Sequence, residues 1–474
     1  MLLRSRDLYR AEEHTVHGMR DAMLYCYRNI WTRSILVFST GCILALFGQG
    51  ACSKKSDKIP NVLLISIDTL RADHLGYNGY YRDTSPFLDG LARTGVSFQE
   101  AISSSPWTLP SHTSLLTGLY PKNHGVKDEN THIPPGIILL AEYFRANGFS
   151  TEGIVNSVYL SERYGFGKGF DNFRYIPENY GAEFVIEAAL SYLQTKKKNR
   201  FFLFLHFYDL HSDYSPGPDY KNLFNGNKGG RVPATTAALQ GFRKGQIKIT
   251  SSDMEYIVGL YDAEIRELSD KLEIFFNKLK TLNVLENTLV IITSDHGEEF
   301  LDHGGVLHGR TLYDELIRVP LIFWGPGIPA GTTVREQVEL IDIMPTLLEL
   351  NGFSLKTELD GQSFAGLLNG RGESRNIRAA FAEADHNNTE NDIKRMIRAD
   401  GYKLYFDRLT GIRKMYHLVS DPLEKKNLYN PENGTAIDLD KRLFEWMGKK
   451  ETRGTEISLS EKEIEHLKSL GYVN

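Results

Sequence analysis

Cysteine is almost missing from this chain. Of 474 residues only Cys26, Cys42 and Cys52 are cysteines, and none follows residue 52. The main body therefore has no disulfide framework and no thiolate metal site. An excess of one charge is missing too. Lysines and arginines number 55 against 60 acidic residues, a net charge of −5, which excludes the basic footprint of a DNA- or RNA-binding surface. No internal repeat and no low-complexity tract is present, which excludes solenoid and propeller arrays. Apolar residues make up 41% and charged residues 24%, a globular balance. The length suits one large core with an appendage, or two to three domains.

Long hydrophobic runs are also scarce. "ILVFSTGCILALFG" (Ile35–Gly48) is too short for a comfortable membrane span but suits a signal peptide's apolar core, with Arg28 and Arg33 before it. Gly50 and Ala51 precede Cys52 as in a bacterial lipoprotein cleavage box, although Gln49 stands where an aliphatic residue is usual. Residues 1–52 therefore read as a targeting segment and 53–60 as a linker. The expectation is export to the cell envelope, periplasmic or membrane-associated through the N-terminus, with Cys52 a candidate lipidation site.

From Asn61 onward apolar runs alternate with helical periodicity. "NVLLISI" (Asn61–Ile67), "FFLFL" (Phe201–Leu205), "TLVIITS" (Thr288–Ser294) and "VPLIFW" (Val319–Trp324) read as buried strands. Ile257, Leu260, Tyr261, Ile265, Leu268, Leu272, Phe275, Phe276 and Leu279 mark one long amphipathic helix. Ala182–Lys198 reads as another. This predicts an α/β domain over 61–375, with a mostly parallel sheet sandwiched by helices. Ser212–Ser252 reads as a long loop. "IKRMIRA", "YKLYFD" and "RKMYHLV" predict a small antiparallel sheet subdomain over 376–430, followed by a helical tail over 431–474.

Ligands of such sheets bind beyond the carboxyl ends of the strands. There the sequence places Asp68 after the first strand, His206, Asp209 and His211 after the second, and Asp295 and His296 after the third. Each alone has an ordinary explanation as a cap or turn residue. Together they gather metal-ligating groups at one rim. "PWTLPSHTSLLTG" (Pro106–Gly118) adds a hydroxyl. Pro110 fits a first helical turn, which sets Thr108 near a helix N-terminus, where backbone N–H groups favour an anion. The plain alternative is that Thr108 only caps that helix.

Four segments, in order, resemble the sulfatase family of the alkaline phosphatase superfamily: "NVLLISIDTLRADHLGYNGY", "WTLPSHTSLLTGLYPKNHGV", "DHGEEFLDHGGVLHGRTLYDELIRVPLIFWGPG" and "KMYHLVSDPLEKKNL". The resemblance runs from about Pro60 to Tyr429. It implies metal ligands at Asp68, Asp295 and His296, with Thr108 bridging metal and substrate. It implies catalytic roles for Thr108, His308 and His211. His112, His206 and Asp209 are expected to bind substrate, and His206, Asp209, His211 and His308 also offer donors for a second metal.

The departures carry information. Formylglycine sulfatases have Cys or Ser followed by x-Pro-Ser-Arg; here Thr108 replaces the precursor and His112 the arginine. Thr69 stands where a second Asp is usual. The implied donor set mixes carboxylate, hydroxyl and imidazole, which favours Zn²⁺ or Mn²⁺ over Ca²⁺ or Mg²⁺. The site resembles the threonine-nucleophile members of the superfamily, the phosphodiesterases and phosphoethanolamine or phosphoglycerol transferases. The expected activity is thus metal-dependent cleavage or transfer of a phosphoester, small or linked to a glycan or lipid. Sulfate-ester hydrolysis is the alternative, and a non-catalytic binding protein the alternative of another class.

Overall fold

The computed structural model describes residues 60–195, 200–226, 229–369, 378–385, 393–449, 451–452 and 454–470. The targeting segment, the cysteines and most of the linker lie outside these. Lys58–Asn474 forms one compact unit. Among the described residues no helix is long and apolar enough to cross a membrane.

Strands β1 (Asn61–Ile67), β2 (Val96–Ile102), β3 (Thr131–His132), β4 (Ser150–Val155), β5 (Asn172–Tyr175), β6 (Phe201–Phe207) and β7 (Thr288–Thr293) come first. They are followed by β8 (Glu299–Phe300), β9 (Val306–Leu307), β10 (Arg318–Trp324), β11 (Thr332–Val334) and β12 (Val338–Glu339). Nine of these build the main sheet in the order β11-β2-β10-β7-β1-β6-β4-β5, with β12 also on β2. Its pairings are parallel except those of β10, which runs antiparallel to both β2 and β7.

Strand β1 shows why the sheet is central. Val62 and Leu64 face one apolar cluster, while Leu63, Ile65 and Ile67 face the other. A strand covered on both faces needs a continuous apolar run rather than alternation. Helices Thr108–Thr117, Leu140–Ala146 and Ile343–Leu350 cover the first face; Pro86–Thr94, Gly181–Thr195 and Ser251–Thr281 cover the second. The four strands read from the sequence are present, shifted by at most two residues at an end. The predicted loop 212–252 instead contains a helix, Thr236–Arg243, whose N-cap Thr235 accepts from the Ala238 N–H. The long helix starts at Ser251, with Thr250 and Asp253 forming a capping box.

The second sheet is β13 (Ala380–Ala384), β14 (Lys394–Ala399), β15 (Tyr402–Asp407) and β16 (Arg413–His417), antiparallel throughout. It is fixed to the main body by Lys403, fully buried, whose Nζ lies 2.9 Å from Asp314 Oδ1 and 2.9 Å from Glu424 Oε1. Glu424 also accepts the Asp314 N–H at 2.7 Å. The segments "LYDELIR" and "DPLEKKN" are thus two halves of one buried ionic joint. Helix Gly434–Met447 follows, capped by Asn433. Strand β17 (Thr455–Glu456) then pairs with β3, and helix Glu461–Ser469 closes the described chain.

Candidate active site

Strands β7, β1 and β6 are neighbours in the sheet, with Ser66 in register with both His206 and Thr293. Their carboxyl ends therefore deliver Asp68, His206, Asp295 and His296 to one place. Asp68, Asp295 and His296 are fully buried and offer ligand atoms that all lie within 4.8 Å of one another. His296 Nε2 is 3.6 Å from Asp68 Oδ1 and 3.3 Å from Asp295 Oδ2. Helix Thr108–Thr117 approaches from the first face, with Trp107 at its N-cap and no side-chain cap there. Thr108 Oγ1 lies 3.4 Å from Asp68 Oδ2 and 3.4 Å from His296 Nε2. The hydroxyl is turned to the carboxylate–imidazole cluster and is not spent on capping its own helix.

Local chemistry explains how these groups are held. Ser111 Oγ donates to the Asp295 carbonyl at 2.8 Å, and Ser294 Oγ to the His296 carbonyl at 2.6 Å. Gly297 is required because the Glu315 carbonyl oxygen would lie 2.0 Å from any Cβ there. Thr69, in the position of the family's second Asp, has φ +56° and donates its hydroxyl to the Leu210 carbonyl at 2.8 Å. That bond couples the loop after β1 to the loop after β6. Arg71, also buried, bonds Asp73, Asp302 and the Glu298 carbonyl, tying the first motif to the third.

Two carboxylates buried this close demand a counter-charge. Burial pushes Asp68 up to about 7, with His296 opposing that rise, and burial together with Asp68 raises Asp295. Asp68 Oδ1 and Asp295 Oδ2 are buried without hydrogen-bond partners. Orphaned carboxylate oxygens beside an imidazole fit a divalent cation. The cluster can hold one.

The remaining histidines divide into two groups. His112 is neutral by construction: burial holds it down at about 4. Its Nδ1 faces the Thr108 carbonyl at 2.9 Å and Asp295 Oδ2 at 3.4 Å, while Nε2 faces Ser66 Oγ at 2.9 Å. His206 is likewise held at about 4 by burial, with Nε2 3.3 Å from Asp68 Oδ2. Both rings are fully buried beside the cluster carboxylates, and the His206 ring nitrogens make no hydrogen bond within the described residues. His211 and His308 pair with each other. The His308 ring centroid lies 4.4 Å from that of His296 and 5.0 Å from that of His211. His211 stacks on Tyr208 and bonds the Ser212 carbonyl through Nδ1 at 2.9 Å.

Asp209 is placed elsewhere. Its Oδ1 accepts the Ala182 N–H at 2.9 Å at the start of helix Gly181–Thr195, and Lys271 Nζ lies 3.9 Å away. Its carboxyl, pushed up to about 6 by burial, serves a helix N-terminus and not the cluster. Asp209 lies two residues before His211, yet its carboxylate is turned to the Ala182 N–H. Sequence reasoning passed over Glu298, fully buried with Oε1 3.1 Å from His308 Nδ1 and Oε2 2.8 Å from the Tyr214 hydroxyl. Its signal was adjacency, since it follows Asp295-His296-Gly297 directly.

Comparisons with known proteins point to one family. The family described as "Sulfatase" matches residues 60–353, and "N-sulphoglucosamine sulphohydrolase, C-terminal" matches residues 302–450. The chain is 26% identical over 429 residues to the ulvan-active sulfatase of Formosa agariphila, covering 81% of each. It resembles a solved structure of a protein in complex with its substrate D-glucosamine-2-N,6-O-disulfate, with TM-score 0.70 and 19% identity over 82% of this chain and 97% of that one. It also resembles the phosphonate monoester hydrolase of Agrobacterium radiobacter, with TM-score 0.66 and 22% identity over 85% of this chain and 99% of that one. Sequence, fold and a buried carboxylate–imidazole cluster beside a helix N-terminus converge: the chain belongs to the sulfatase family of ester hydrolases.

Proposed function

We propose that this sulfatase-family hydrolase uses the unmodified Thr108 hydroxyl as its nucleophile and acts on phosphate esters, by hydrolysis or by transfer to an acceptor alcohol. The observation that carries the reading is the placement of Thr108 Oγ1, 3.4 Å from both Asp68 Oδ2 and His296 Nε2 at a helix N-terminus. A formylglycine hydrate carries two hydroxyls, so its sulfate ester can collapse to an aldehyde and expel sulfate. Threonine has one hydroxyl, and its sulfate ester has no such exit. A phosphothreonine can be resolved by in-line attack at phosphorus.

Asp68, Asp295 and His296 would hold a divalent cation, with the imidazole favouring Zn²⁺ or Mn²⁺ over Ca²⁺ or Mg²⁺. When bound, the cation lowers the pKa of the neighbouring hydroxyl and stabilises charge on the phosphoryl oxygens. Thr108 Oγ, its proton passed to solvent, forms the new bond to phosphorus as the bond to the leaving oxygen breaks. The N–H groups at the start of helix Thr108–Thr117 stabilise the negative oxygens. His308 gives a proton to the leaving oxygen and takes one from the incoming water or alcohol. That second nucleophile displaces Thr108 Oγ, which takes a proton back from solvent to regenerate the hydroxyl. His211 orients the transferred group.

The names of the relatives favour a second reading, sulfate-ester hydrolysis. They also favour a sugar-linked ester as substrate in either case. The N-terminal pattern of the sequence supports export, with lipid attachment at Cys52. The deciding assay compares kcat/KM for aryl phosphate monoesters, aryl phosphate diesters and aryl sulfates across Zn²⁺, Mn²⁺, Ca²⁺ and Mg²⁺, on protein whose Thr108 is unmodified by mass spectrometry. Phosphoester turnover well above sulfate turnover supports the reading; the reverse order replaces it with the second.

A further inference from the structure

We infer that Glu298 is the positioning residue of His308, and that Tyr214 and Arg243, from the segment between β6 and the long helix, lock that pair in place. The inference rests on the reading of His308 as proton donor to the leaving oxygen. Glu298 Oε1 lies 3.1 Å from His308 Nδ1. A carboxylate there fixes the ring's orientation and puts the hydrogen on Nδ1, so that proton exchange with substrate goes through Nε2, the nitrogen turned away from Glu298. The carboxyl is itself immobilised. The Tyr214 hydroxyl donates to Oε2 at 2.8 Å, and Arg71 Nη1 donates to the Glu298 carbonyl at 3.0 Å.

The backbone points the same way. Glu298 and His308 flank the two arms of the hairpin β8–β9. Leu307, next to His308, has φ +61°, a left-handed conformation that is unfavourable for a residue with a side chain. Such a conformation persists only where its surroundings over-determine it. Arg243 does so: its Nε donates to the Val306 carbonyl and its Nη2 to the His308 carbonyl, each at 2.8 Å. The guanidinium brackets Leu307 and fixes the turn that aims His308. Helix Thr236–Arg243, which occupies the predicted loop, thereby acquires a purpose at the site.

The test uses leaving-group dependence in the full-length, metal-loaded protein. Turnover of 4-nitrophenyl phosphate, whose leaving group needs no proton, is compared with turnover of 2-phenylethyl phosphate, whose leaving group does; the matching sulfate pair is run in parallel. His308→Ala is expected to lose about 10²–10⁴-fold on the phenylethyl ester and at least about tenfold less on the nitrophenyl ester. Glu298→Gln is expected to show the same split with a smaller loss, about tenfold or more on the phenylethyl ester, with metal content and melting temperature near wild type. Should Glu298→Gln fold poorly, Tyr214→Phe and Arg243→Lys are read by the same criterion. Equal losses on both esters, or no loss on either, overturns the inference. Thr108→Ala separates the two readings. If it stays active while Glu298→Gln shows the split, the nucleophile reading falls and the positioning role stands. If it is inactive and Glu298→Gln shows no split, only the positioning role falls.

Discussion

His112 Nδ1 lies 2.9 Å from the carbonyl oxygen of Thr108, one turn back along the same helix. Its Nε2 meets Ser66 Oγ at 2.9 Å, so the ring joins the nucleophile's turn to β1. His112→Ala removes the ring contact to the Thr108 carbonyl, which keeps its helical backbone bond, and leaves the buried Ser66 hydroxyl without this partner, at an expected cost of about 1–3 kcal/mol. Thermal denaturation is expected to show that loss, together with a fall in kcat greater than the change in KM. A variant with wild-type stability and turnover would show that His112 does not brace the turn.

Asp295→Ala and His296→Ala are each expected to abolish activity and to lower metal content in elemental analysis. Each removes one of the three buried groups that would hold the cation. Full metal occupancy in either variant would remove that residue from the ligand set.

Arg71 bonds Asp73, Asp302 and the Glu298 carbonyl from a buried position. Arg71→Ala is expected to destabilise the fold by about 1–3 kcal/mol, because it takes the donor from the buried Glu298 carbonyl, while the half-exposed Asp73 and Asp302 carboxylates regain water. Denaturant unfolding measures this directly. A change below about 1 kcal/mol would match an exposed ion pair instead.

Glu299 gives a pH dependence. Burial, with Glu315 adding to it, raises its carboxyl from the ordinary 4.5 to about 8. The folded protein thus holds this proton more tightly than the unfolded chain does. The resulting stabilisation is complete below about pH 4.5 and is lost as pH rises to about 8, with a slope of at most about 1.4 kcal/mol per pH unit. Glu299→Gln is expected to flatten the stability profile over that window. An unchanged slope in the variant would mean that another group titrates there.

Much of this was legible in the sequence where one residue's environment followed from its neighbours. The strand Asn61–Ile67 could be read because a doubly covered strand must be apolar throughout, and Asp68, Asp295 and His296 because they end adjacent strands. Helix Thr236–Arg243 was hidden by its short length and polar flanks. Strand β2, "VSFQEAI", was hidden by Gln99 and Glu100, which are half-buried beside a mixed ion-pair surface. Asp209 was misplaced because loop direction, which sends it to the Ala182 N–H, is not encoded in spacing. Glu298 was overlooked because its partners, Tyr214 and His308, come from distant segments.

The export proposal is checked by fractionation of the native host, with the protein expected in envelope fractions and Cys52→Ala expected to release it or block its maturation. Intact full-length protein in the cytosol would contradict it.

The most direct measurement is covalent trapping. Protein loaded with metal is quenched during turnover of a slow phosphodiester and digested, and the peptide carrying Thr108 is analysed by mass spectrometry. A phosphoryl adduct on an otherwise unmodified Thr108 is expected, absent in Thr108→Ala, which should also lose most turnover while Thr108→Ser keeps some. Undiminished turnover by Thr108→Ala, or rapid sulfate hydrolysis far above phosphoester turnover with no adduct at Thr108, would contradict the account.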